Sequence, residues 1–153
     1  MRYLTGDEAK EANAFSERGG LSAKWSSCEK SKRGVIIVQD RLIIGEGFNH
    51  PPKGYTCEPS VCKTICASYC VHAEHAAIID ALQKGNTVEG SRLYHAKVKE
   101  GSIKTVDGPS CVSCSKIILD AGIKEVVLQL HEGYALYNAR EFHALSLEAL
   151  MKK

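Results

Sequence analysis

Two short stretches constrain this chain more than any other feature, because each opens a helix-like run and both carry metal-binding chemistry. Cys70-Val71-His72-Ala73-Glu74 leads into the apolar run 76–82, closed by Gly85. Pro109-Ser110-Cys111-Val112-Ser113-Cys114 leads into the run 115–119, closed by Gly122. Cysteines at i and i+3 in the first turn of a helix share one face, so both sulfurs reach one ion. A helix N-terminus favours negative charge, which lowers the thiol pKa and makes thiolate ligands. His72, Cys111 and Cys114 together make three protein ligands and leave a fourth tetrahedral position for water, the pattern of a catalytic zinc site. Any fold for this chain must therefore set the two helix starts side by side. Zinc lowers the pKa of a bound water to about 7, and a carboxylate beside it can take and return the proton. Glu74, two residues from His72, is placed for that work. A purely structural zinc is the other reading of the same ligands, but such a site closes its fourth position with protein.

The rest of the chain bounds the setting. A length of 153 residues suits one domain, residues 1–153, with a sizeable core. The longest aliphatic run, Val35-Ile36-Ile37-Val38, is far too short to span a bilayer, and the polar start carries no apolar signal segment. No membrane partner is expected, and the cytoplasm is the default location. Seven cysteines without a secretion signal read as metal ligands and not as a disulfide framework. Twenty basic against 18 acidic residues give a net charge of +2, too even to announce a nucleic-acid partner.

In chain order, residues 6–26 read as a helix, with Gly19-Gly20 predicting a break inside it. Residues 34–38 read as a buried strand, Gln39-Asp40 as a tight turn, and 41–45 as the hairpin partner. Two prolines and the glycines make 47–54 a loop, followed by a cysteine-dense connection over 55–71. Alternation predicts a strand over 91–99, with Leu93, His95 and Lys97 on one side, then a loop over 100–109. Residues 123–130 form a β-branched strand, and helical spacing from Leu136 to Met151 predicts a terminal helix. Helices alternating with strands imply an α/β three-layer sandwich, one mixed sheet with helices on both faces.

His-x-Glu followed by Pro-Cys-x-x-Cys is the signature of zinc-dependent nucleobase deaminases. The chain resembles that family, and within it the deoxycytidylate deaminases. The resemblance runs over Ser26-Ser27-Cys28, the strand 34–38, Gly45-Glu46-Gly47-Phe48-Asn49, the cysteines from Cys57 to Cys70, Val71-His72-Ala73-Glu74, and 118–127. Three features depart from the pattern. Ser110 separates Pro109 from Cys111, the segment before Cys111 is longer than expected, and His50 stands where a glycine commonly follows the asparagine. The resemblance implies a cytidine-deaminase-like fold, a zinc cofactor and hydrolytic deamination of a cytosine mononucleotide, deoxycytidylate first, with Glu74 shuttling protons. It also implies a small-molecule nucleotide as partner and a homo-oligomer. Asn49 is carried over as a substrate contact. Lys30, Lys32, Arg33 and Lys53 flank the same hairpin as phosphate candidates, with Arg33 and Lys53 the foremost. Some members hold a second, structural zinc on cysteines of the connection; here the candidates are Cys28, Cys57, Cys62, Cys66 and Cys70. Which four would bind is open, and reduced buried thiols are the alternative. The rival functions are deamination of another or modified cytosine nucleotide or nucleoside, deamination of a base in tRNA or single-stranded DNA, and a zinc-stabilised interaction domain. Few aromatics and a near-neutral charge argue against a polymer substrate, which needs stacking platforms and a basic channel.

Overall fold

The computed structural model describes residues 1–61 and 68–153. One mixed sheet runs through the chain. Its strands are β1 (Arg2–Tyr3), β2 (Lys32–Gln39), β3 (Leu42–Phe48), β4 (Arg92–Lys99), β5 (Ser102–Lys104), β6 (Glu125–Leu130) and β7 (Gly133–Asn138). They lie in the order β1-β7-β6-β4-β2-β3, with β5 paired to β4. The β4–β6 pair is parallel and the others are antiparallel. Helix α1 (Gly6–Ala23) covers one face. On the other lie α2 (Ala73–Gln83), α3 (Val112–Asp120) and α4 (Ala139–Met151). This is the three-layer α/β sandwich that the element order implied. No helix among the described residues is long and apolar enough to cross a membrane.

The sheet is buried on both faces, and strict alternation places the cores. Ile36, Val38, Tyr94 and Val127 point towards α1 and meet Ala12. Val35, Ile37, Leu93 and Val126 point the other way and meet Ala73, Ala77 and Ile118. The only parallel pair among the described strands needs a crossover, and α3 supplies it between β4 and β6. That crossover brings the start of α3 beside the start of α2.

Six elements differ from the sequence expectation: β1 was not foreseen, β3 continues through Gly47 and Phe48 into the expected loop, and four others follow. Helix α1 runs unbroken through Gly19 and Gly20. Those glycines face the sheet: a Cβ on Gly20 would come within 2.9 Å of the Ile103 side chain and one on Gly19 within 3.3 Å of Ala96 Cβ, while a Cβ on the facing Gly34 would collide with the Gly19 carbonyl, so helix and strand approach to backbone contact. The hairpin turn falls at Asp40-Arg41, one residue later than expected, with positive φ angles of 51° and 65°. Part of the 100–109 loop is strand β5, which returns along β4 after a turn at Glu100-Gly101. Residues 136–138 belong to β7 and not to the terminal helix, because they pair with β6 and β1. The helix starts where Asn138 Oδ1 accepts the Glu141 backbone N–H at 2.9 Å.

Candidate metal centre and pocket

His72 is the N-cap of α2, and Cys111 is the N-cap of α3. The short bridge between His50 and Val71, with N···O distances of 3.0 and 2.8 Å, fixes the approach to α2. Cys114 lies one turn into α3, and its backbone N–H donates to Cys111 Sγ at 3.3 Å. The two sulfurs are 2.7 Å apart, and His72 Nδ1 is 3.0 Å from Cys114 Sγ and 3.4 Å from Cys111 Sγ. Among the described residues, this trio is the one cluster of three or more donors close enough to share an ion. Its chemistry fits zinc, with two soft sulfurs, one imidazole and a tetrahedral position to spare. The Cys114 contact, with help from His72, holds the Cys111 thiol well below the usual thiol range. The same contact, together with burial, pushes Cys114 well up. His72 is raised in turn by its hydrogen bond with Cys111. Behind the trio, His75 Nε2 donates to the Ser113 carbonyl at 3.1 Å, tying the first turns of α2 and α3 together.

Glu74 stands beside this cluster without joining it. Its Oε2 is 3.5 Å from Cys114 Sγ, and its Oε1 is 4.0 Å from His95 Nε2. Both groups face a cavity of about 590 Å³, lined also by Arg33, Asn49, Lys30 and Lys97. Asn49 is clasped from both ends of its amide. Its Oδ1 accepts the Arg33 backbone N–H at 2.8 Å, and its Nδ2 donates to the Ser31 carbonyl at 2.9 Å. One N–H of Nδ2 is left over from this clasp. Arg33 donates through Nε to Ser31 Oγ at 2.8 Å, and its Nη1 lies 3.4 Å from His95 Nε2. Burial draws the guanidinium pKa down, against the pull of Glu74, Cys28, Cys114 and Cys111. Lys53 is exposed and does not line the cavity.

His95 is the site residue that sequence reasoning passed over. Alternation had put it on one side of its strand with Leu93 and Lys97, but nothing in the pattern said that this side meets α2. The wall over 106–110, which follows the unforeseen β5, was missed for the same reason. Of the proposed second-metal cysteines, Cys28, Cys57 and Cys70 are half-buried, and Cys28 and Cys70 line the cavity. Cys62 and Cys66 lie outside the described residues.

Three helix-start ligands, a neighbouring carboxylate and this strand order define a class of zinc-dependent deaminase, and the chain belongs to one family of it. The profile of the cytidine and deoxycytidylate deaminase zinc-binding region matches residues 9–130. The deoxycytidylate deaminase of Schizosaccharomyces pombe is 31% identical over 124 residues, which cover 74% of this chain and 35% of that protein. The deoxycytidylate deaminase of Mycobacterium phage D29 is 28% identical, over 69% of this chain and 84% of that one. Among solved structures, the apo dCMP deaminase of cyanophage S-TIM5 superposes with a TM-score of 0.60 at 26% identity, covering 76% of this chain and 80% of that one. The chain thus spans about a third of the length of its fungal relative.

Proposed function

We propose that this chain hydrolyses the exocyclic amine of a cytosine mononucleotide, converting deoxycytidylate to deoxyuridylate and ammonia. The observation that carries the reading is Glu74, a nearly buried carboxylate beside three ligands and outside their set. Zinc held by His72, Cys111 and Cys114 would supply the Lewis acidity that makes water nucleophilic near neutral pH. Glu74 accepts the first proton of the attacking water and passes it to N3 of the ring. It then takes the second proton, from the new hydroxyl on C4, and delivers it to the departing amine. The C4–N bond breaks, C4–O becomes the uracil carbonyl, and ammonia leaves.

The similarity to dCMP deaminases of two phages and a yeast supports the nucleotide. So do the cations Lys30 and Lys97 on the cavity wall. If they grip a phosphate, removing it should cut kcat/KM by about a hundredfold, since charge-assisted hydrogen bonds are worth roughly 1.5–3 kcal/mol each. A panel of cytosine and adenine nucleosides, nucleotides and oligonucleotides, scored for ammonia release, tests the reading. Equal rates on deoxycytidine and its monophosphate would replace it with a nucleoside deaminase, and turnover of oligonucleotides alone with a polymer enzyme. Thiolate ligands suit the reducing cytoplasm. Exposed Ile79 and Leu82 on α2, with Ile117 on α3, support a homo-oligomer that covers them.

A further inference from the structure

The deaminase mechanism uses Glu74 and the three ligands, and leaves a second polar cluster in the same cavity without a task. His95 is 7% exposed, on β4, and its register partner on β2 is Val35. Arg33 lies two residues before Val35 and so projects from the same face of the sheet. Placing a guanidinium and an imidazole on the floor of a pocket costs desolvation that an apolar pair would avoid. Something in the ligand must return that cost.

The hydrogen bonds fix what the imidazole has to offer. A guanidinium carries donors only, so His95 Nε2, 3.4 Å from Arg33 Nη1, must present its lone pair. The ring proton then sits on Nδ1. Burial holds the ring down at about 4, with Arg33 and Lys97 adding to the effect against Glu74, so it is neutral at pH 7. Among the described residues Nδ1 has no hydrogen-bond partner, and the ring lines the cavity. It is a donor open to the cavity with no protein acceptor among those residues. Its place is the reacting end of the pocket, since Nε2 of the same ring is 4.0 Å from the Glu74 carboxylate. A phosphate lies a sugar's breadth from the carbon that reacts, so the base is the part of the substrate that can reach this donor.

We propose that His95 and Arg33 form a specificity subsite that reads a hydrogen-bond acceptor on the substrate's base, with Nδ1–H of His95 donating and Arg33 holding the ring in that tautomer. The inference rests on the deaminase reading and assigns Arg33 to the base, away from the phosphate. Two acceptors have this chemistry: the C2 carbonyl of cytosine, and a polar substituent on C5.

The test compares the zinc-loaded wild type with His95→Leu, which removes the donor, and His95→Asn, whose amide nitrogen falls where Nδ1 stands. His95→Leu should lower kcat/KM by about tenfold or more, the effect of one buried hydrogen bond with its partner left unsatisfied. His95→Asn should recover most of that loss. Substrate analogues identify the acceptor. If it is the C2 carbonyl, 2-thiodeoxycytidylate should be poor for the wild type and no poorer than deoxycytidylate for His95→Leu. If it is a C5 group, 5-hydroxymethyldeoxycytidylate should be preferred by the wild type, and His95→Leu should erase the preference. Calorimetric binding of deoxyuridylate to the same three proteins needs no turnover. Wild type that binds deoxyuridylate but releases no ammonia, with binding weakened in His95→Leu and restored in His95→Asn, would sink the deaminase reading and keep the subsite. Equal losses on every substrate, with His95→Asn no better than His95→Leu, would show a packing residue and overturn the subsite. Zinc content and circular dichroism on each variant separate either result from misfolding.

Discussion

The proposed mechanism gives Glu74 a task that a similar shape without a titratable oxygen cannot perform. Glu74→Gln keeps the volume, the start of α2 and the neighbouring ligands, and its amide still offers a hydrogen bond to the ring. It cannot accept a proton from water. General acid–base catalysis is worth about 10²–10⁴-fold, and one carboxylate here serves several transfers, so kcat should fall by the upper end of that range or more. Zinc content must be measured on the same sample. Full zinc with near-normal turnover would assign the proton to another base, whereas lost zinc would make the carboxylate a ligand. At this scale the gathering of His72, Cys111 and Cys114 with Glu74 beside them was legible, because their spacing encodes helix starts and metal geometry without any tertiary knowledge. His95 was not, because its role depends on which face of a doubly buried strand meets α2.

At the scale of elements, the close approach of α1 to the sheet is set by Gly34 of β2 facing Gly19, one of the two helix glycines whose sequence suggested a break. Glycine in a helix interior costs about 0.5–1 kcal/mol against alanine, and that cost reads locally as a helix end. The return is tertiary, since Gly34 and Gly19 let backbone meet backbone. Gly34→Ala should therefore destabilise the fold by about 1–3 kcal/mol or more, through overpacking against a carbonyl that cannot step aside. For a chain of this size, each kcal/mol is worth about 2–4 °C in Tm. A thermal scan with no loss at Gly34→Ala would mean that α1 sits further from β2. The same limit on local reading explains β7. Leu136 and Ala139 fit a helical stripe, but the ladder to β6 claims residues up to 138 before Asn138 caps the helix. Strand β5 is three residues long, and only its pairing with β4 distinguishes it from loop.

For the molecule as a whole, the metal centre joins two helix starts that the chain holds far apart in sequence and the β4–β6 crossover brings together. Ligands that bind only the folded state add stability by mass action, so chelation should lower Tm, and Cys111→Ser or Cys114→Ser should remove that response. Whether the chain carries a second ion is a separate question with its own count. The connection from residue 55 to 71 is cysteine-dense. A closed thiolate site would supply folding energy to that segment directly. In that case native protein should hold about two zinc per chain. Cys57→Ser should release one of them and lower Tm, while the activity per remaining zinc stays close to wild type, because Cys57 is not among the residues lining the cavity. Elemental analysis gives the count, and alkylation of the native protein gives an independent reading, since a thiolate on zinc is slow to react. One zinc per chain, together with rapid alkylation of Cys57, would leave the connection without a metal and assign its cysteines to packing alone.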